Sequence, residues 1–158
     1  MFFYPVGTVI QLLGLSLLIG GLLALGAFTA PVLFRQFARP EAGLAMTVIF
    51  RRYDMVVLIA GLMVLAGEVF RIIAMGRFAT GSWIPGFRLG LLLALVASIV
   101  FSTQSLNPKL EALQKVEGYG TGQDTGSASF HALHKQSEQL SKLQLLLAVL
   151  VLAITPFI

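Results

Sequence analysis

The chain has 158 residues, of which 57% are hydrophobic and 11% charged, with no cysteine. A soluble domain of this size carries about 25% charged residues, so a water-bathed globule is excluded, as are disulfides, thiolate metal sites and cysteine nucleophiles. The net charge of +4 does not point to nucleic acid, because the basic residues sit at the ends of apolar stretches and form no lysine- and arginine-rich tract.

Four apolar stretches fill most of the sequence. A helix needs about 20 apolar residues to cross a bilayer, and each stretch is near or above that length. The sequence therefore predicts an all-α, integral membrane four-helix bundle: one domain, residues 1–158, with spans near 6–34, 44–75, 86–106 and 129–158. The first stretch lacks a positive leader and exceeds the roughly 7–15 apolar residues of a secretory signal, so it reads as a retained span. It holds no charge before Arg35, and Pro31 is expected to kink or end its helix. Ser16, Gly20 and Ala24 recur every four residues, a spacing that lets membrane helices approach closely.

The second span is longer than a bilayer requires, and Pro40 suits its first turn. Arg51, Arg52, Tyr53 and Asp54 mark its interface with water. In the third span Gly90, Ala94, Ser98 and Ser102 form a second small ridge, and Asn107-Pro108 is expected to end the helix. The segment from Val116 to Ser129 contains four glycines and reads as a flexible linker. The fourth span opens amphipathic, from Ser129 to Lys142, and becomes almost wholly apolar from Leu143 to Ile158.

Four crossings put both termini on one side. Loops one and three hold Arg35, Arg39, Arg51, Arg52, Lys109, Lys115, Lys135 and Lys142, against Arg71, Arg77 and Arg88 on the terminal side. Positive charge favours the cytoplasm, so both termini are expected outside, in the inner (cell) membrane. Trp83 and Phe87 then fall in the outer aromatic belt.

The runs Ala30-Pro31-Val32-Leu33-Phe34, Ala42-Gly43 and Ile49-Phe50-Arg51-Arg52-Tyr53-Asp54 resemble the start of the transmembrane protein 205-like family, catalogued in bacteria as domain-of-unknown-function family 4149. Arg88-Leu89 with Leu106-Asn107-Pro108-Lys109 looks like that family's third span and its exit. Phe130-His131-Ala132-Leu133-His134-Lys135-Gln136-Ser137 resembles the start of its fourth span. Where such proteins often carry asparagine four residues after the motif serine, this chain has Ser141. The resemblance implies a small four-span membrane protein and no particular reaction. The layout is also similar, more distantly, to copper-resistance D-type membrane proteins.

Ionisable groups at membrane depth cost about 2.5–3.5 kcal/mol each on insertion scales, so each needs a partner. Asp54 lies one turn from Arg51, and Glu68 one turn from Arg71, with Arg88 at a similar level. Ion pairs that fix helix register are the plainest reading; a proton or cation path is the competing one, and the charge-free stretch between Asp54 and Glu68, roughly 20 Å long, breaks any continuous wire. On the fourth span His134, Ser137, Glu138 and Ser141 share one face. With Arg51, Arg52, Asp54 and Asn107 they form either an interhelical hydrogen-bond network or a cytoplasm-facing ligand pocket.

His131, His134 and Glu138 have metal-compatible spacing but fall short of a convincing ligand set. No histidine lies on the first three spans, which leaves no facing axial ligands for haem. There is no phosphate-binding glycine loop and no zinc-protease motif, so an enzyme is not expected and no cofactor is assigned. The expected role is structural, interaction-based or small-ligand binding, with a cation or solute transporter subunit and a metal- or haem-linked protein as alternatives. Expected partners are membrane lipids and, through the small ridges, a second copy or a larger membrane complex.

Overall fold

The computed structural model describes residues 3–75, 84–116 and 128–155. Among these every element is helical: α1 (Phe3–Leu23), a π-helical segment (Ala24–Thr29), α2 (Ala30–Gln36), α3 (Arg39–Met75), α4 (Ile84–Phe101), a second π-helical segment (Ser102–Leu106), α5 (Asn107–Val116) and α6 (Ala128–Ile154). They run as four rods, each containing a stretch long and apolar enough to cross a membrane: Tyr4–Gln36, Glu41–Ala74, Gly86–Leu113 and His131–Ile154. Most of the linker read between Val116 and Ser129, with Arg77 and Trp83, lies outside the described residues.

Neither proline stops its rod: Asn107-Pro108 does not end the third helix as the sequence predicts, and at Pro31, expected to kink or end its helix, the rod also continues. Pro31 and Pro108 each take the second position of a short α-helix, and each of those helices directly follows a π-helical segment. Proline lacks an N–H and its ring collides with the carbonyl four residues back. A π turn widens the backbone just ahead of the ring, and the rod continues instead of stopping. Thr29 supports the first wide turn by donating its hydroxyl to the Ala24 carbonyl, five residues back, at 3.0 Å. Pro40, by contrast, sits in the first turn of α3 as the sequence predicts.

The closest packing is between α1 and α3, which run antiparallel. Gly7 lies against Gly67, Gly14 against Ala60, and Gly21 under the ring of Tyr53. On both helices these positions recur every seven residues, the period that keeps one stripe of a helix facing its neighbour. A Cβ on Gly7 would stand 2.7 Å from the Gly67 carbonyl oxygen, and one on Gly14 2.7 Å from that of Ala60. The companion stripe on α1 carries Tyr4, Gln11 and Leu18; that on α3 carries Val57, Val64 and Arg71. The Tyr53 hydroxyl clasps the seam by donating to the Leu18 carbonyl at 3.0 Å.

The core lies between these two helices, α4 and α6. It contains Leu15, Leu18, Val57, Ala60, Val64, Leu92, Leu95, Ile99, Leu147, Ala148 and Val151. Gln144 ties α6 to α4 by donating to the Ser98 carbonyl at 3.1 Å.

The four-residue ridges do not make these contacts. Ser16, Gly20 and Ala24 are exposed on the outside of the bundle, as are Gly90 and Ala94; only Ser98 is buried and Ser102 half-buried. A row at four-residue spacing winds around its helix, whereas a seven-residue row stays almost parallel to the axis. The long antiparallel seam therefore uses the latter. Nothing lies within 4 Å of a Cβ built on Gly20 or Gly90.

Substitution should separate the two rows. A Cβ on Gly67 would stand 2.6 Å from the Gly7 carbonyl oxygen and 2.8 Å from the Gln11 nitrogen, both backbone atoms. Gly67→Ala is expected to destabilise the detergent-purified protein by about 1–3 kcal/mol. Gly20→Ala and Ala94→Leu should stay within about 0.5 kcal/mol of the parent. Thermal unfolding followed by circular dichroism measures all three; an unchanged Gly67→Ala refutes the seam.

Candidate functional site

Two polar clusters occupy opposite ends of the bundle. On α3 they are marked by Asp54 and Glu68, about 21 Å apart along the axis at 1.5 Å per residue.

At the end bearing the α2–α3 connection, Asp54 does not pair with Arg51. Its two carboxylate oxygens accept from the Asn107 amide at 2.8 and 2.9 Å. Arg51, 76% exposed in its side chain, reaches Glu111 of α5 at 3.4 Å. Arg52 is exposed. Ser141 and the Glu138–Lys142 pair of α6 bond within their own helix. Ser141 donates to the Ser137 carbonyl at 3.0 Å, and Lys142 donates to Glu138 at 2.6 Å. His131 and His134 are exposed. Among the described residues no three histidine, aspartate or glutamate side chains converge as a metal site. Of the eight residues of the expected pocket, the structure joins Asp54 to Asn107 across helices. Beside this cluster an open groove of about 390 Å³ runs between the third rod and α6. It is lined by Phe101, Leu106, Gln136, Gln139, Leu140 and Leu143.

The opposite end is different. Arg71 and Gln11 are 0% exposed, Arg88 1% and Glu68 6%. Each occupies a core-facing stripe by helical periodicity. Arg71 continues the row of Val57 and Val64, and Arg88 the row of Leu92, Leu95 and Ile99. Gln11 enters because Gly7 and Gly67 allow α1 and α3 into backbone contact one turn away.

Glu68 pairs across helices with Arg88, Nη1 to Oε2 at 2.7 Å, and not with Arg71 on its own helix. Gln11 sits at the centre. Its Nε2 donates to Glu68 at 3.1 Å. Its Oε1 accepts from Arg71 Nη1 at 3.3 Å and also from Arg88 Nη2. Arg71 further donates to the Tyr4 hydroxyl at 3.2 Å, and its guanidinium carbon lies 5.1 Å from the centroid of the Tyr4 ring, a cation–π distance.

The cluster holds two guanidiniums and one carboxylate, a formal excess of one positive charge. Among the described residues no carboxylate lies within 4 Å of Arg71. The Nε atoms of both arginines are buried without a hydrogen-bond partner. Buried charge is tolerated when paired and fully hydrogen-bonded, and here both conditions are only partly met. Buried donors left idle call for an explanation of their own.

The sequence singled out Glu68, Arg71 and Arg88 but not Gln11 or Tyr4. The available signal was the seven-residue interval from Tyr4 to Gln11, interleaved with Gly7 and Gly14.

Removing the carboxylate should reveal the cost of the arginines. Glu68→Gln is expected to destabilise by about 3–5 kcal/mol, because Arg88 stays buried and unpaired. The double variant Glu68→Gln, Arg88→Met should recover a large part of that loss. A double-mutant cycle from thermal unfolding in detergent checks this; additive effects would show the pair to be uncoupled.

The model of a family described as a domain of unknown function, DUF4149, matches residues 13–118. No curated protein and no solved structure matches the chain. The matched stretch contains Asp54, Glu68, Arg71, Arg88 and Asn107, while Tyr4, Gln11 and α6 lie outside it. With well over half of its length covered by that one model, the chain belongs to the DUF4149 family.

Proposed function

We propose that this is an integral membrane protein crossing the inner (cell) membrane four times, with both termini on the non-cytoplasmic side, and that it binds a small ligand at the buried cluster of Gln11, Glu68, Arg71 and Arg88. The role is binding and not catalysis. The observation that carries the ligand site is the complete burial of two arginines around one neutral amide oxygen. Ionisable residues inside a membrane bundle are costly, and function is the usual reason they persist.

Two further features support the membrane placement. On α3, Val69 and Ile73 flank the cluster on the outward face and are strongly exposed, as are Met55, Ile59 and Leu62 further along. A row of large apolar side chains facing outward suits lipid. The excess of basic residues at the opposite end supports the orientation. The motif resemblance to transmembrane protein 205-like proteins agrees with a four-span layout.

The binding centre moves from the end read in the sequence to the other end of the bundle. Around Arg51, Asp54 and Asn107 the groups are partly open to solvent and already partnered, Asp54 by Asn107 and Arg51 by Glu111. The cation-path alternative fares worse, because a bundle interior with surplus positive charge repels cations.

Topology is tested by single cysteines in the otherwise cysteine-free chain. Arg39→Cys and Gly120→Cys should be labelled from the cytoplasm and Gly81→Cys from outside; the reverse pattern refutes the orientation. The site is tested by thermal-shift screening of the purified protein against neutral, cationic and anionic small molecules. Shifts should vanish in Arg71→Gln and persist in Arg51→Gln. Loss in Arg51→Gln with retention in Arg71→Gln would return the site to the Asp54 end.

A further inference from the structure

Among the described residues, Gln11 is the one on which two buried cations converge. Its Oε1 accepts from Nη1 of Arg71 and Nη2 of Arg88. An amide oxygen is neutral and single. It occupies one donor on each guanidinium and leaves the remaining demand unmet, in charge and in hydrogen bonds. Both unmet demands are present: one surplus positive charge, and an idle Nε–H on each arginine.

A guanidinium presents donors in a planar fork matched to groups with two or more anionic oxygens. Resting on the binding reading above, we infer that the ligand of this site is an oxyanion, a carboxylate or a phosphate, and that it replaces the Gln11 amide oxygen between Arg71 and Arg88. Gln11 is then a built-in neutral stand-in, seated where the ligand belongs. The ligand supplies the missing negative charge and enough oxygens to engage the idle Nε–H groups. Glu68 stays with Arg88 at 2.7 Å and fixes that guanidinium for the exchange. Arg71, held only by neutral partners, is the cation that gains most.

The exchange has a direct consequence for affinity. Each ligand must displace the Gln11 amide, so the resident side chain weakens binding by competing for the same donors. Truncating it opens the place, and charging it fills the place permanently.

The test uses the full chain in detergent, with thermal unfolding read in sodium acetate or sodium phosphate against sodium chloride at equal ionic strength. Gln11→Ala should unfold at lower temperature than the parent and bind acetate or phosphate at least about tenfold more tightly. Its Tm should rise by about 3–5 °C at ten times the dissociation constant. Gln11→Glu should show no such response. Should Gln11→Ala not accumulate, Gln11→Ser carries the same expectation.

A parallel series adds phosphatidylglycerol or phosphatidylcholine to the micelles. A response confined to lipid assigns the oxyanion to a headgroup, and a response to the free salts assigns it to a soluble anion. A truncated variant that answers none of these probes overturns the inference, as does a Gln11→Glu variant that responds as strongly as Gln11→Ala. A neutral or cationic ligand whose thermal shift is lost in Arg71→Gln would keep the binding site and still overturn the oxyanion.

Discussion

Backbone contact between α1 and α3 is the constraint on which the rest of this structure depends. Gly7, Gly14 and Gly67 leave no room for a methyl group at the seam. Without a hydrophobic drive between helices in lipid, association rests on close van der Waals approach and on interhelical hydrogen bonds. Glycines supply the first, and the Tyr53–Leu18 bond and the Gln11 bonds supply the second. The seam brings a polar side chain of one apolar helix to the charges of two others.

The buried cluster follows from that approach. Gln11 reaches Glu68, Arg71 and Arg88 because α1 lies so near α3. Its amide donates to the carboxylate and accepts from both cations, so a single residue joins three helices. A buried network is worth most when every member is satisfied. This one is satisfied except at two nitrogens and in net charge, and those exceptions give it chemical interest. At the Asp54 end both carboxylate oxygens are met by an amide, and the exposed neighbouring arginine reaches a glutamate.

Much of the architecture was legible from the chain. Four apolar runs located four long helices, and Pro40 marked the first turn of α3. Packing was harder to read. The four-residue rows of small residues looked like contact ridges, yet the contacts use the seven-residue row of Gly7, Gly14 and Gly21, equally visible in the sequence. Pro108 reads as a stop and Pro31 as a kink or a stop because the clash of the ring is local, whereas the relief lies a turn earlier in the backbone. Pairing followed sequence distance in the reading and spatial distance in the molecule. Glu68 chose Arg88 over Arg71, and Asp54 chose Asn107 over Arg51. Gln11 went unnoticed because one amide in an apolar run says little until its neighbours across the seam are known.

The repeat of Gly7, Gly14 and Gly21 also limits how the first rod can change in length. Adding or deleting one residue between them turns the helix by about 100°, swinging every later glycine away from α3 and putting a side chain in its place. A change of seven residues would keep them aligned. The register of this rod is therefore closed to small insertions over those two intervals, while the exposed stretch around Gly26 and Phe28, outside the seam, is under no such restriction.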